Sequence, residues 1–214
     1  MTAPHGFGLR VVAPVLADMA AAHPQLEIDA AFSDRVADIV GERFDAAIRI
    51  GDLPDSTLVA RRIGPVRALV AASPDYLARR GRPETPADLS GHECLGYAGA
   101  PDGSWRFRRG GKRFDVRATG RLRADSGEAL VQWAVAGLGL AAVPEHLAER
   151  EIASGALVTV LEDYELPAFG VYVVRPPGPV ASGKVRLLID LLALKVRDCP
   201  RAQAAIRAEA AAAD

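Results

Sequence analysis

The sequence predicts an α/β fold, and three observations carry that prediction. Segments of helical and strand periodicity alternate along the chain, a pattern that implies parallel pairing. The length, 214 residues, suits one large domain or two lobes of about 100 residues each. Half the residues are hydrophobic and a quarter are charged, enough for a packed core under a polar surface.

Phe7 to Ala22 places Val11, Val12, Val15, Leu16 and Met19 near helical spacing and predicts an amphipathic helix. Pro14 marks a kink or a late first turn, and His23-Pro24 stops the helix. Leu26 to Phe32 alternates at period two and predicts a strand. Ser33-Asp34 supplies a turn and a cap, Val36 to Glu42 a short helix, and Phe44 to Ile50 a second strand ending at Gly51. The extended run Leu58 to Ala72, interrupted by Pro65, is too long for one strand of a small sheet and is expected to cross between lobes. Ser73-Pro74 opens a helix, proline tolerating an early position because its missing N–H has no intrahelical partner there.

The middle of the chain is richer in glycine and proline. Trp105–Arg108 and Lys112–Val116 flank Arg109-Gly110-Gly111 and predict a hairpin. Thr119 to Ala124 reads as a strand. Asp125, with Glu128 three residues on, reads as a capping-box-like start of a helix that Gly137 ends. Leu138 to Val143 reads as a buried strand, Pro144 as the opening of the next helix, and Phe169 to Arg175 as a returning strand. Lys184 to Val196 places Val185, Leu188, Ile189 and Leu192 on one helical face. The alanine-rich stretch from Arg201 reads as a terminal helix or frayed tail.

The formal net charge of −1 argues against nucleic acid as a direct partner of this chain. The arginine clusters at Arg61-Arg62, Arg79 to Arg82 and Arg106 to Arg113 read as solvated strand ends and turns. Cys94 and Cys199 fit no metal spacing and read as free thiols of a reducing cytosol. No apolar stretch is long enough to span a bilayer, and the start lacks a secretory pattern. Gly178 to Lys184 fits the first seven positions of a phosphate-binding loop, but Val185 stands where a magnesium-facing hydroxyl belongs and Pro179 removes a backbone donor. Gly137-Leu138-Gly139 follows a helix and precedes a strand, the reverse of a dinucleotide loop. His5, His23, His92 and His146 share no metal or triad spacing, so no catalytic residue, metal or cofactor is assigned. What remains is a set of polar groups at strand ends and helix starts: Thr2 to Gly6, Ser33-Asp34, Gly51 and Asp125-Ser126. They can cap helices, or they can bind a small anion beyond the carboxyl ends of strands.

In order along the chain, these segments resemble the effector-binding domain of LysR-type transcriptional regulators. The resemblance rests on Thr2-Ala3-Pro4 with Phe7-Gly8, Ser33-Asp34-Arg35 with Asp38-Ile39-Val40, and Phe44 to Gly51. It continues through Ser56 to Arg61, Ala72 to Leu77, Pro86 to Leu89, Gly137 to Ala141 with Pro144, Ser154 to Val158, and Lys184 to Arg186. It implies a type II periplasmic-binding-protein-like fold, two α/β lobes around an interlobe ligand cleft. Lobe I would comprise residues 1–65 with 170–200, lobe II residues 66–169, and the tail 201–214. It further implies a cytoplasmic, non-enzymatic sensor of a small polar or anionic effector. Such a sensor would act as a homodimer or tetramer and reach DNA only through an N-terminal helix-turn-helix domain that this chain lacks. Carried over, the effector-binding residues are Thr2, Ala3, His5, Gly6, Ser33, Asp34, Gly51, Ser126 and Val143. The first central strand, normally just before Thr2, is expected to be missing. The readings to be weighed against a sensor are a free-standing solute-binding protein of the same fold, an enzyme on this scaffold, and a dimerisation module.

Overall fold

The computed structural model describes residues 1–51, 53, 55–99, 103–178 and 181–197. The chain divides into two compact units, Met1–Val66 with Ala168–Asp214, and Arg67–Pro167.

In the first unit, strands β1 (Thr2–Ala3), β2 (Ala31–Phe32), β3 (Ala47–Ile50), β4 (Val59–Val66) and β12 (Phe169–Arg175) form one sheet in the order β2-β1-β3-β12-β4. β1 runs parallel to β2 and β3, whereas β12 is antiparallel to β3 and β4, so the sheet is mixed rather than all parallel. The strand expected to be missing is present in part: β1 sits between β2 and β3 and pairs with both. Its brevity explains why the predicted strand Leu26–Phe32 is reduced to Ala31–Phe32. Thr2 and Ala3 are the only partners that β1 offers, opposite Ala31 and Phe32.

Alternation at period two sends the strand side chains to two faces. Ile48, Val171 and Val173 join one core cluster, and Ala47 and Val174 the opposite one. The first face is covered by a helical run: α1 (His5–Phe7), a π-helical turn (Gly8–Val12) and α2 (Ala13–Ala22). Pro14 lies in the first turn of α2, directly after the π turn. An i→i+5 bond from Ala13 N–H to the Gly8 carbonyl closes that turn, so the helix passes a residue that cannot donate. The amphipathic helix α6 (Gly183–Arg197) packs on the same face through Val185, Leu188, Ile189, Leu192 and Val196. Of the phosphate-loop-like run, Pro179 and Val180 lie outside the described residues, as do Cys199 and the tail.

The helix expected over Val36–Glu42 does not form. The Asp38 carboxylate accepts from the N–H groups of Val40 (3.2 Å) and Gly41 (3.0 Å), and Glu42 accepts from Asp38 N–H (3.0 Å). These local side-chain bonds satisfy the backbone donors in a turn instead of a helix, and Arg43 leaves it with φ at 58°.

The second unit has its own sheet. β5 (Ala68–Ala72), β6 (Cys94–Tyr97), β9 (Arg123–Ala124), β10 (Leu140–Pro144) and β11 (Val158–Val160) lie in the order β11-β5-β10-β6-β9. The long run Leu58–Ala72 is therefore two strands, β4 in one sheet and β5 in the other. On one face pack α4 (Gly127–Val135) and α5 (Glu145–Ala153), through Leu130, Val131, Ala134, Leu147 and Ala148. On the other lie α3 (Pro74–Arg80), a 3-10 turn over Pro86–Gly91, and the hairpin β7 (Ser104–Arg109) and β8 (Lys112–Arg117), seated by Tyr76, Leu89 and Phe107. Ser73 caps α3, accepting from Tyr76 N–H at 3.3 Å. Gly110 and Gly111 turn the hairpin with φ of 54° and 75°, the left-handed pair that a tight hairpin turn demands. The predicted strand Thr119–Ala124 contracts to β9, and the cap of α4 is Ser126 rather than Asp125.

Inside this unit Glu93 N–H donates to the Tyr76 hydroxyl (2.9 Å), which lies 3.1 Å from His92 Nδ1. With its oxygen already accepting, the hydroxyl is set to donate to a bare Nδ1, which a protonated ring could not offer. Burial, and then Arg80, hold His92 below the ordinary imidazole range against a smaller upward pull from Asp88. A folded-state pKa below the unfolded one, about 6.5, means the unfolded chain takes up the proton first. The stability this histidine supports is present above that value and is lost as pH falls through the folded pKa. Thermal melts over this acid range should show a decline that His92→Gln, which keeps an acceptor, flattens. Parallel profiles for both proteins would refute this assignment.

Candidate functional site

The carboxyl edge of the first unit's sheet collects most of the sequence-derived candidates. β1 delivers Thr2 and Ala3 to this edge, and the chain turns at Pro4 directly into α1, which begins with His5 and Gly6. β2 delivers Ser33 and Asp34 beside them, because Ser33 N–H continues the ladder to the Ala3 carbonyl at 2.9 Å. Asp34 Oδ1 then accepts from His5 N–H at 2.9 Å. A carboxylate thus holds one of the donors that the start of a helix leaves without an intrahelical partner. The His5 ring reaches back, with Nδ1 3.5 Å from the Phe32 carbonyl, and Ser33 Oγ accepts from Arg35 N–H at 3.2 Å. Gly51 ends β3, one strand further along the same edge. Its φ of 110° excludes most side chains without strain, and its N–H donates to the Gly170 carbonyl at 2.9 Å.

Burial divides these residues by what each can offer. Thr2, Ala3 and Gly6 are buried, Thr2 to 2% exposure, and Ala3 belongs to the core cluster. They shape the edge with backbone. His5, Ser33 and Asp34 are exposed and can present side chains to a ligand.

In the second unit the two remaining candidates are placed differently. Ser126 is half-buried at the start of α4. Its hydroxyl accepts from Ala129 N–H at 3.3 Å and donates to Glu128 Oε2 at 3.1 Å, so capping accounts for it. Val143 lies in β10 opposite Leu69, 1% exposed and packed in the core with Leu130 and Leu147. Only its backbone is available to a ligand.

Glu128 reads from the sequence only as a capping partner, not as a site residue. Its Oε1 is buried without a hydrogen-bond partner, while Oε2 is bonded to Ser126. A polar atom in that condition pays the desolvation cost of a group awaiting a donor. The signal was present as Ser126-Gly127-Glu128, but the run reads as a cap and nothing more. His146 Nδ1 and Glu151 Oε2 are likewise buried without a hydrogen-bond partner.

Cys94 is buried, and desolvation pushes its thiol up to about 12, so it is no nucleophile at neutral pH. No group of three or more metal-binding side chains occurs among the described residues. No described helix is long and apolar enough to cross a membrane.

Comparison with known proteins gives a consistent picture. The family described as LysR substrate binding domain matches residues 1–196. The chain is 38% identical over 191 residues to the HTH-type transcriptional regulator DmlR of Escherichia coli K12, covering 87% of this chain and 61% of that protein. It is 37% identical over 177 residues to an uncharacterized HTH-type transcriptional regulator of Haemophilus influenzae, covering 82% of this chain and 62% of the relative. Among solved structures, the regulatory domain of CrgA, a LysR-type transcriptional regulator from Neisseria meningitidis, superposes with a TM-score of 0.77 at 26% identity. That match covers 91% of this chain and 96% of the other. The full-length Vibrio cholerae virulence activator AphB gives 0.76 at 27% identity, covering 90% of this chain and 66% of AphB. The chain thus spans about three-fifths of the length of the curated relatives it matches.

Proposed function

The chain belongs to the LysR substrate-binding domain family, and from that premise we propose that it is the effector-sensing part of a cytoplasmic, non-enzymatic transcriptional regulator. The observation that carries the proposal is the carboxyl edge of the first sheet, where His5, Ser33 and Asp34 stand exposed around a helix start on a buried backbone frame. In α/β sheets that edge is where ligands bind. Ser126 and Val143, the latter through its backbone, are further contacts suggested by the family resemblance.

The effector is a small polar molecule. A carboxylate-bearing effector would compete with Asp34 for His5 N–H, so a ligand hydroxyl or amine that donates to Asp34 is the better match. Binding acts on transcription by shifting the equilibrium between arrangements of a homodimer or tetramer. It can do so only by its differential affinity, typically about 1–3 kcal/mol of coupling. A free-standing solute-binding protein of this fold is the lesser reading, because the curated relatives named above are transcriptional regulators.

A thermal-shift screen of small polyols and amino alcohols, with carboxylates as the contrasting set, followed by calorimetry on each hit, tests the site. Ser33→Ala should weaken binding about tenfold while leaving the melting temperature of the free protein within about 1 °C, the size of effect expected for a surface substitution. Equal affinity in the variant would reject this edge as the site. Translating the coding DNA in frame upstream of Met1 tests the regulator reading separately: a helix-turn-helix supports it, and an export signal overturns it.

A further inference from the structure

A net charge of −1 conceals a strongly uneven distribution. Residues 104–123 hold eight of the chain's 26 Lys and Arg and one of its 27 acidic residues, Asp115. The hairpin β7/β8 makes up most of this stretch. Its register puts Ser104 opposite Arg117, Arg106 opposite Asp115, and Arg108 opposite Arg113 on one face. Trp105, Phe107, Phe114 and Val116 alternate onto the other face and pack in the core. Arg106, Arg108, Arg113 and Arg117 are all exposed. Two arginines set directly across a strand pair repel each other, so Arg108 and Arg113 are not explained by the stability of the hairpin.

Nearby acids neutralise only part of this charge. Asp115 is held by Arg113 at 2.9 Å. Asp163 is held at 3.6 Å by Arg109, whose guanidinium also lies over the Tyr164 ring. Glu165 bridges by backbone to Arg108. Among the described residues, Arg108, Lys112, Arg117 and Arg121 hold no ion pair.

We infer that this face is a docking surface for the phosphate backbone of duplex DNA. The choice of DNA as the polyanion rests on the regulator reading above; the surface itself does not. The basic residues on this face, Arg106, Arg108, Arg113 and Arg117, are all arginines, whose planar fork suits phosphate oxygens. The hairpin's aromatic residues face inward, so no platform exists for stacking the bases of a single strand. What is left is a sequence-independent backbone contact that adds affinity without reading bases. The rest of the chain carries a net charge of −8, so the long-range field favours this stretch over the chain as a whole for a polyanion.

The test is fluorescence anisotropy of a labelled short duplex of arbitrary sequence, titrated with the full chain over a range of salt. The wild type should bind at low salt and weaken steeply as salt rises, by about 0.9 log unit of affinity per tenfold salt for each phosphate neutralised. Arg108→Glu with Arg117→Glu should lose at least about tenfold in affinity and about two from the slope, the share of two phosphate contacts. The milder Arg108→Ser with Arg117→Ser should lose less, which guards against a folding defect in the charge reversal. Arg10→Glu with Lys195→Glu makes the same change in net charge in the first unit and should not reproduce the loss. Absence of duplex binding by the wild type, or equal losses in both charge-reversed pairs, would overturn the inference. Hairpin-dependent binding of poly-glutamate without duplex binding would also overturn it, and would make the face a dock for an acidic protein. Effector affinity should be unchanged in the hairpin variants, so failure here leaves the sensing site untouched.

Discussion

Replacing Phe107 with alanine is expected to lower the stability of the second unit by about 3–5 kcal/mol, the range for deleting a fully buried aromatic side chain. Phe107 is fully buried and is among the largest side chains so enclosed. It stands in the middle of β7, opposite Phe114, and packs in the cluster of Val70, Tyr76, Leu89, Cys94 and Leu140. A two-stranded hairpin has marginal stability of its own, so this one is ordered by what it packs on. Backbone bonds between Arg108 and Glu165, 2.8 Å in each direction, add a second tether. Loss of Phe107 leaves a cavity under the hairpin that these bonds cannot fill. Denaturant unfolding followed by tryptophan fluorescence should report the loss, since Trp105 and Trp133 both lie in the second unit. A midpoint within about 0.5 kcal/mol of wild type, the range of a neutral surface substitution, would show that the hairpin is not seated by this ring. The prediction is distinct from the charge-reversal experiment, because Arg108 and Arg117 project from the opposite face.

How much of this was legible in the sequence follows from which interactions are local. The hairpin was, because alternation on both strands and a Gly-Gly turn coincide. The returning strand Phe169–Arg175 and the helix at Lys184 were too, since each carries its own periodicity over seven residues or more. The segment Val36–Glu42 was misread because its apolar spacing looks helical. The decisive groups are Asp38 and Glu42, whose side chains bond back to nearby N–H groups. The span Leu26–Phe32 was overextended because a strand's length is set by its partner, here the two residues of β1. The candidate site was half legible. Polar residues at strand ends marked His5, Ser33 and Asp34, but burial of Thr2 and Ala3 and the capping bonds of Ser126 depend on packing that spacing does not encode. Glu128 was legible as a cap partner, but its unpartnered oxygen was not: only a folded core makes one carboxylate oxygen an orphan.

The second large effect is expected at Gly139, and at Gly120 on the other side of the same strand. Gly139 precedes β10, and a Cβ placed on it would stand 2.5 Å from the Glu93 carbonyl oxygen, a backbone atom with no side chain to swing aside. Gly120 precedes β9, and its Cβ would run into the backbone of Cys94, still closer. Both contacts bear on the start of β6, where Leu140 N–H donates to the Glu93 carbonyl at 2.8 Å and Cys94 N–H donates to Thr119 at 3.0 Å. Alanine at either position would push apart strands that these bonds hold together. Overpacking of this kind costs about 1–3 kcal/mol where the surroundings can yield, and backbone yields less than side chains. Against it stands the smaller gain from a stiffer unfolded chain, about 0.4–1 kcal/mol for glycine to alanine. The balance is destabilising at both sites and larger at Gly120. Gly155→Ala is the instructive contrast: its Cβ meets nothing within 4 Å, yet φ is 77°, so any loss there is conformational strain alone. Urea midpoints in the order Gly155→Ala, then Gly139→Ala, then Gly120→Ala, from most to least stable, would establish close backbone approach as the reason for these glycines. A Gly139→Ala protein as stable as wild type would return Gly137-Leu138-Gly139 to its simplest description, a helix stop whose second glycine has no structural duty.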